Sequence, residues 1–495
     1  MVECNMYNVE ELTIEKFHND LKEGLTTCKE VMEAYIDRIN TYDKQNDKIN
    51  AIILINKDAI KEAEDCDKKI REDKSIIDRL PLFGCPLLVK DNFETYDMPT
   101  TAGSKTLEGF MTHKDAFVVD KLRSAGAIII AKTNLHEFAV WGENVSSILG
   151  QTYNPYDHTR SSGGSSGGTG AGLAANFGLI GIGTDTINSV RSPSSANSLC
   201  GIRPTIGLVS RMGIVPYSLT QDTAGALART VTDAVKTFNM MVGADPEDQV
   251  TVDSAKYAKD DYRKFLKATG LKGKKIGILR SFMGTKDVHK EVNRCMEDCF
   301  MILKDNGATL IDIEEKYDIG HLVNDISLHL WDFKYELEKY LKEHNCKYQT
   351  FDELIDSGLC TPDIIVNLED ANKIDIHSDA YKERAKKRLS LIEEVKALYK
   401  KYSIDAIVYP HQQQLVCKVG KTQAERNGAI GSVTGFPAIV VPGGFSTPDE
   451  NATIGVPVGL EILGLPFTED ILIEIAYGFE QASKKRKKPI LGHNN

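Results

Sequence analysis

The sequence predicts an α/β fold, and three observations lead there. Helix-period and strand-like segments alternate through residues 58–131. Three further apolar runs, at 404–410, 438–442 and 457–463, read as returning core strands. The chain is 495 residues long and 41% hydrophobic, enough to bury a substantial core.

Taken in order, residues 1–75 are expected to be mainly helical. Leu12, Phe17 and Leu21, then Val31, Ala34, Tyr35 and Ile39, recur at helical spacing between charges. A further helix is expected over 58–74. Residues 82–89 read as a buried strand ending at Lys90, 115–125 as an amphipathic helix, and 126–131 as a short core strand. From 167 to 183 the residues are small or apolar with almost no charge, which fits a tightly packed helix followed by a short strand. Residues 201–205 look like a turn-rich link, and 245–275, polar and lysine-rich, like a surface excursion. A strand is expected at 274–279, helices through much of 287–402, and a final helix from Asp470. The basic run at 484–488 reads as a solvated helix end rather than a nuclear signal or membrane contact. The chain has no internal repeat.

Composition excludes several functions. A formal net charge of -11 argues against a nucleic-acid binder, which needs a basic stripe to neutralise phosphates. The ten cysteines show no framework spacing. Cys295 and Cys299 stand at i,i+4, but no histidine pair completes a zinc site. A reduced, cytoplasmic chain is expected. The first eleven residues carry acids instead of a basic patch and an apolar run, so no signal peptide is expected. With no run of about 18 apolar residues, the protein should be soluble and free of membrane contact.

The chemistry concentrates in two small-residue segments. Gly163-Gly164-Ser165-Ser166-Gly167-Gly168 and Gly183-Thr184-Asp185-Thr186-Ile187-Asn188-Ser189-Val190-Arg191 place Ser165 and Ser189 24 positions apart. Glycines beside a serine let the backbone approach a substrate closely. Upstream, Lys90 ends Gly84-Cys85-Pro86-Leu87-Leu88-Val89-Lys90. A lysine that burial strips of its proton can act as base to a serine nucleophile.

These segments resemble the amidase signature family. The dense match spans residues 80–232, with Thr100-Thr101-Ala102-Gly103-Ser104, Lys132-Thr133-Asn134 with Glu137-Phe138, Gly201 to Thr205, and Arg229-Thr230-Val231. The resemblance implies one domain over 1–495: N-terminal helices to 75, a catalytic core over 80–232, variable substrate walls over 245–435, and C-terminal strands and a helix over 436–495. It implies a large mixed central sheet covered on both sides by helices. It implies a Ser-Ser-Lys triad in which Ser189 is the nucleophile, Ser165, on a cis peptide, bridges to Lys90, and Lys90 is the base. The spacing to Ser189 selects Ser165 over Ser166. Backbone N–H groups of Thr186, Ile187, Asn188 and Ser189 would form the oxyanion hole. No cofactor or metal is implied, the substrate would be a small amide, and a homodimer is a reasonable default.

One departure qualifies the resemblance. Glycines usually precede the nucleophile, where this chain has Ile187 and Asn188. Either Ile187 takes ordinary torsions or the donors point differently, since a β-branched residue resists the left-handed region. Asp185 and Arg191 should brace the loop. Ser161, Ser162, Ser192, Ser194 and Ser195 read as packing residues, and His136 and His411 as structural. His411 to Leu415 and Gly431 to Gly435 are candidate pocket segments. The expected activity is hydrolysis of a carboxamide to a carboxylate and ammonia or an amine. The alternatives are the glutamine-hydrolysing subunit of a tRNA-dependent amidotransferase, or a non-catalytic protein retaining the fold.

Overall fold

The computed structural model describes residues 6–45 and 48–492, so Cys4 and the first five residues lie outside it. Among the described residues, eleven strands join in one sheet. They are β1 (Ile52–Ile55), β2 (Pro86–Lys90), β3 (Ile128–Thr133), β4 (Ile180–Asp185), β5 (Cys200–Arg203), β6 (Thr223–Ala228), β7 (Lys275–Leu279), β8 (Thr309–Ile313), β9 (Ala406–Pro410), β10 (Ala438–Phe445) and β11 (Pro457–Leu463). Their spatial order is β1-β3-β2-β4-β6-β5-β10-β11-β9-β7-β8. β2 runs parallel to β3 and β4, and β7 parallel to β8 and β9; the remaining pairs are antiparallel. The sheet is therefore mixed, as expected.

Helices cover both faces. Gly167–Ala174 and Arg191–Ala196 pack on each other, while Val231–Met241 and Lys290–Asp305 each pack on Glu469–Ser483. Alternation along the strands sorts the two layers. A Cβ at Gly459 would meet Ser195, whereas one at Gly443 would meet Met296. Because both faces are covered, the inner strands β2, β3 and β4 are buried at every position and read as continuous runs, not alternating ones.

Several elements differ from the sequence expectation. The strand expected from Leu82 begins at Pro86, because the chain first turns through Gly84 with φ +67°. Residues 201–205 are not a link: Cys200–Arg203 is β5, paired between β6 and β10. Gly201 there serves close packing, since a Cβ would lie 2.1 Å from Ser194 Oγ. β6, Thr-Ala-Gly-Ala-Leu-Ala, carries few of the bulky residues that announce a strand. β1 and β8 interrupt regions expected to be helical. The final helix stops at Ser483, before the basic run. That run is partly solvated: Lys484, Lys487 and Lys488 are exposed, while Arg486 bonds Glu11 at 2.7 and 2.8 Å and Lys488 pairs with Glu10. No helix among the described residues is long and apolar enough to cross a membrane.

Candidate active site

β2 ends at Lys90, which is fully enclosed. Pairing with β4 sets Val89 beside Ile182, so the lysine reaches the end of β4. Its Nζ donates to Thr184 Oγ1 at 2.6 Å and to Ser165 Oγ at 2.8 Å. A second buried lysine provides the contrast. Lys132 Nζ lies 3.0 Å from Asp91 Oδ1 and also donates to the Phe93 and Pro99 carbonyls. Lys90 has no such ion pair among the described residues. Burial therefore lowers its pKa to about 7, against the raising pull of Asp185 and Asp222. At neutral pH about half of such lysines are uncharged, and the lone pair then faces the Ser165 hydroxyl.

Ser165 follows a cis Gly164–Ser165 peptide, and its carbonyl accepts from the His136 N–H at 3.1 Å. The helix Gly167–Ala174 starts directly afterwards and packs without room for side chains. A Cβ on Gly168 would stand 2.3 Å from the Asn134 carbonyl oxygen, and one on Gly183 of β4 would stand 2.5 Å from Ser166 Oγ. These close approaches lock the first serine segment onto β4. The Ser166 N–H donates to the Ser189 carbonyl at 3.2 Å, joining the two segments directly.

Ser189 lies between β4 and the short helix Arg191–Ala196. Asp185 fastens this loop from its start: its carboxylate accepts from the N–H groups of Val190 and Arg191 at 3.1 and 3.4 Å and from the Arg191 guanidinium at 3.1 Å. Arg203 adds bonds of 2.6 and 2.7 Å to the Asp185 carbonyl and carboxylate. The two guanidinium charges hold the Asp185 carboxyl far below the usual range despite its burial. Arg191 also donates to the Ile187 carbonyl at 2.6 Å and pairs with Glu461. Asp185 and Arg191 are thus the clamp of the loop.

Ile187 and Asn188 avoid the left-handed region, which settles the torsion question in favour of ordinary geometry. Among the described residues, the peptide N–H groups of Thr186, Ile187, Asn188 and Ser189 donate to no protein acceptor. All four residues border a cavity of about 480 Å³. Enzymes of acyl transfer use unpaired N–H groups of this kind to hold a developing oxyanion.

The other sequence candidates divide. Gln413 borders the cavity, but His411 does not: its Nδ1 lies 2.6 Å from Glu461 Oε2, in the buried network behind the loop. Gly431 to Gly435 supplies Ser432, whose hydroxyl donates to the Ile187 carbonyl from outside the cavity. His136 is structural, with Nε2 2.8 Å from Asp363 Oδ2. Ser194 and Ser195 hydroxyls bond the Val190 carbonyl and the Gly459 N–H. Sequence reasoning missed Thr184, the second acceptor of Lys90, and the walls formed by Trp141, Tyr217, Tyr317 and Arg426. The walls come from separate loops and carry no local pattern.

Comparison with known proteins identifies the family. The Amidase family model matches residues 30–473. A glutamyl-tRNA(Gln) amidotransferase subunit of Thermoanaerobacter pseudethanolicus is 32% identical over 500 residues, covering 97% of this chain and 98% of that protein. A probable amidase of Arabidopsis thaliana is 32% identical over 504 residues, covering 98% and 92%. The solved peptide amidase of Stenotrophomonas maltophilia superposes with a TM-score of 0.87 at 32% identity, covering 97% and 98%. The chain belongs to the amidase family and is an amide-hydrolysing enzyme.

Proposed function

We propose that the chain hydrolyses a carboxamide through a Ser189 acyl-enzyme, with Lys90 as base and Ser165 as the relay between them. The observation that carries this reading is the contact of Lys90 Nζ with Ser165 Oγ at 2.8 Å, made by a fully buried lysine without an ion pair. Ser189 Oγ attacks the amide carbonyl carbon while its proton passes through Ser165 to the neutral amine of Lys90. The carbonyl oxygen gathers negative charge and receives hydrogen bonds from the free N–H groups of the loop. Each such donor is worth about 10²–10³ in rate. The C–N bond breaks as the proton is handed to the leaving nitrogen, giving ammonia or an amine. Water then attacks the ester by the same relay, releases a carboxylate and restores Ser189.

The chain acts as one domain in this reading. Residues 80–232 supply the chemistry and 245–435 supply walls, consistent with Tyr317, His329 and Gln413 bordering the cavity. The nine cysteines of the described residues are all free, which supports a reducing compartment such as the cytoplasm. The test is ammonia release from simple amides by the purified chain, with Ser189→Ala as the blank. Turnover retained in Ser189→Ala would refute the nucleophile.

The relatives named as components of an amidotransferase support a second reading, in which the same chemistry acts on glutamine within a larger assembly. Ammonia release that requires added partner proteins would favour it over a stand-alone amidase.

A further inference from the structure

Arg426 borders the same cavity as Ser189. Among the described residues its guanidinium makes no hydrogen bond and no ion pair. Arg191 and Arg203, by contrast, bond Asp185, Glu461 and backbone carbonyls. Glu143 attracts Arg426 through space, yet its two oxygens are taken by the N–H groups of Gly142 and Gln423, at 3.1 and 2.8 Å. Two carboxylates border the cavity as well, and neither pairs with Arg426. Glu425 is bonded by His289 and Gln414 at 2.8 and 3.1 Å, and Asp318 by the His321 N–H at 2.7 Å.

A Cβ on Gly142 would fall 2.0 Å from Arg426 Nη1, so the guanidinium rests directly against the Gly142 backbone. The Gly142 backbone packs in turn on Gly164, where a Cβ would come 3.0 Å from its carbonyl. Gly164 immediately precedes Ser165, so the cation stands beside the catalytic segments. A half-buried arginine keeps its proton at any working pH and offers five donors in a planar fork. An unpaired fork facing a cavity fits a carboxylate, which it can grip with two parallel bonds.

We propose that Arg426 binds a carboxylate of the substrate, so that the preferred substrates are small molecules carrying both a carboxamide and a carboxylate. This rests on the amidase reading of Ser189, and the experiment separates the two.

Steady-state rates would be measured for the ω-amidated acids succinamate, glutaramate and adipamate and for their methyl esters, which are neutral and nearly isosteric. In the wild-type chain kcat/KM should favour the acids by about ten- to hundredfold, expressed mainly in KM. Arg426→Gln should bring that ratio close to one, and Arg426→Lys should leave it between the two. Equal rates for acids and esters in the wild type, or a ratio that Arg426→Gln leaves in place, would overturn the proposal. Calorimetry of glutarate binding to Ser189→Ala, with and without Arg426→Gln, reads the same site without turnover. Binding that Arg426→Gln abolishes supports the carboxylate site even if no amide is hydrolysed, and binding that survives it counts against the site even if hydrolysis proceeds.

Discussion

The enclosure of Lys90 makes a quantitative prediction about pH. In the proposed mechanism only the neutral amine can accept the proton that Ser189 gives up, and burial sets the pKa at about 7. Lysine in water ionises near 10.4, so an open site would keep less than about 0.1% neutral at pH 7. With a midpoint of about 7, roughly 9% of molecules are competent at pH 6 and roughly 91% at pH 8. The rate should therefore rise about tenfold over those two units, with a limiting slope of one per pH unit. The direction follows from the chemistry: raising pH removes the proton from Lys90 and turns the base on. The assay is kcat/KM for ammonia release from one neutral amide between pH 5.5 and 9, which reports groups of the free enzyme. A profile flat from pH 6 to 8, or a rising limb centred near 10, would refute the claim that Lys90 is the base at a depressed pKa.

Two substitutions probe the scaffold that holds the site. Arg191→Lys removes a fork that binds Asp185, Glu461, Ile187 and Ser432 together. Breaking so buried a network should cost about 3–5 kcal/mol and release the Ser189 loop; an unchanged melting temperature and kcat would contradict the clamp. Gly168→Ala places a methyl 2.3 Å from the Asn134 carbonyl and 2.5 Å from its nitrogen, both backbone atoms that cannot swing away. Overpacking of about 1–3 kcal/mol is expected, with a fall in kcat of more than tenfold as the Ser165 segment shifts. Wild-type values on both counts would show that the contact is relieved elsewhere.

How much of this the sequence disclosed depended on whether the signal was local. Lys90, Ser165 and Ser189 stand next to glycine-rich or apolar segments, and such segments advertise themselves because close packing tolerates few alternatives. The bracing role of Asp185 and Arg191 was equally legible, since both lie within the Ser189 loop. β5 and β6 escaped notice because strands of glycine, alanine and cysteine resemble links until their neighbours are known. His411 was read as structural and is so, paired with Glu461, while Gln413 of the segment that follows it reaches the cavity. Arg426 was invisible for a different reason. An arginine in a polar loop is ordinarily solvated, and only the fold reveals that this one rests against the Gly142 backbone.

The most direct test of the catalytic account is the site of covalent capture. The folded chain would be treated with a fluorophosphonate probe at pH 8 and the modified peptide located by mass spectrometry. A single adduct on Ser189, lost in Lys90→Ala, is the expected result. An adduct on Ser165, Ser166 or another serine, or folded protein that takes up no probe, would contradict it.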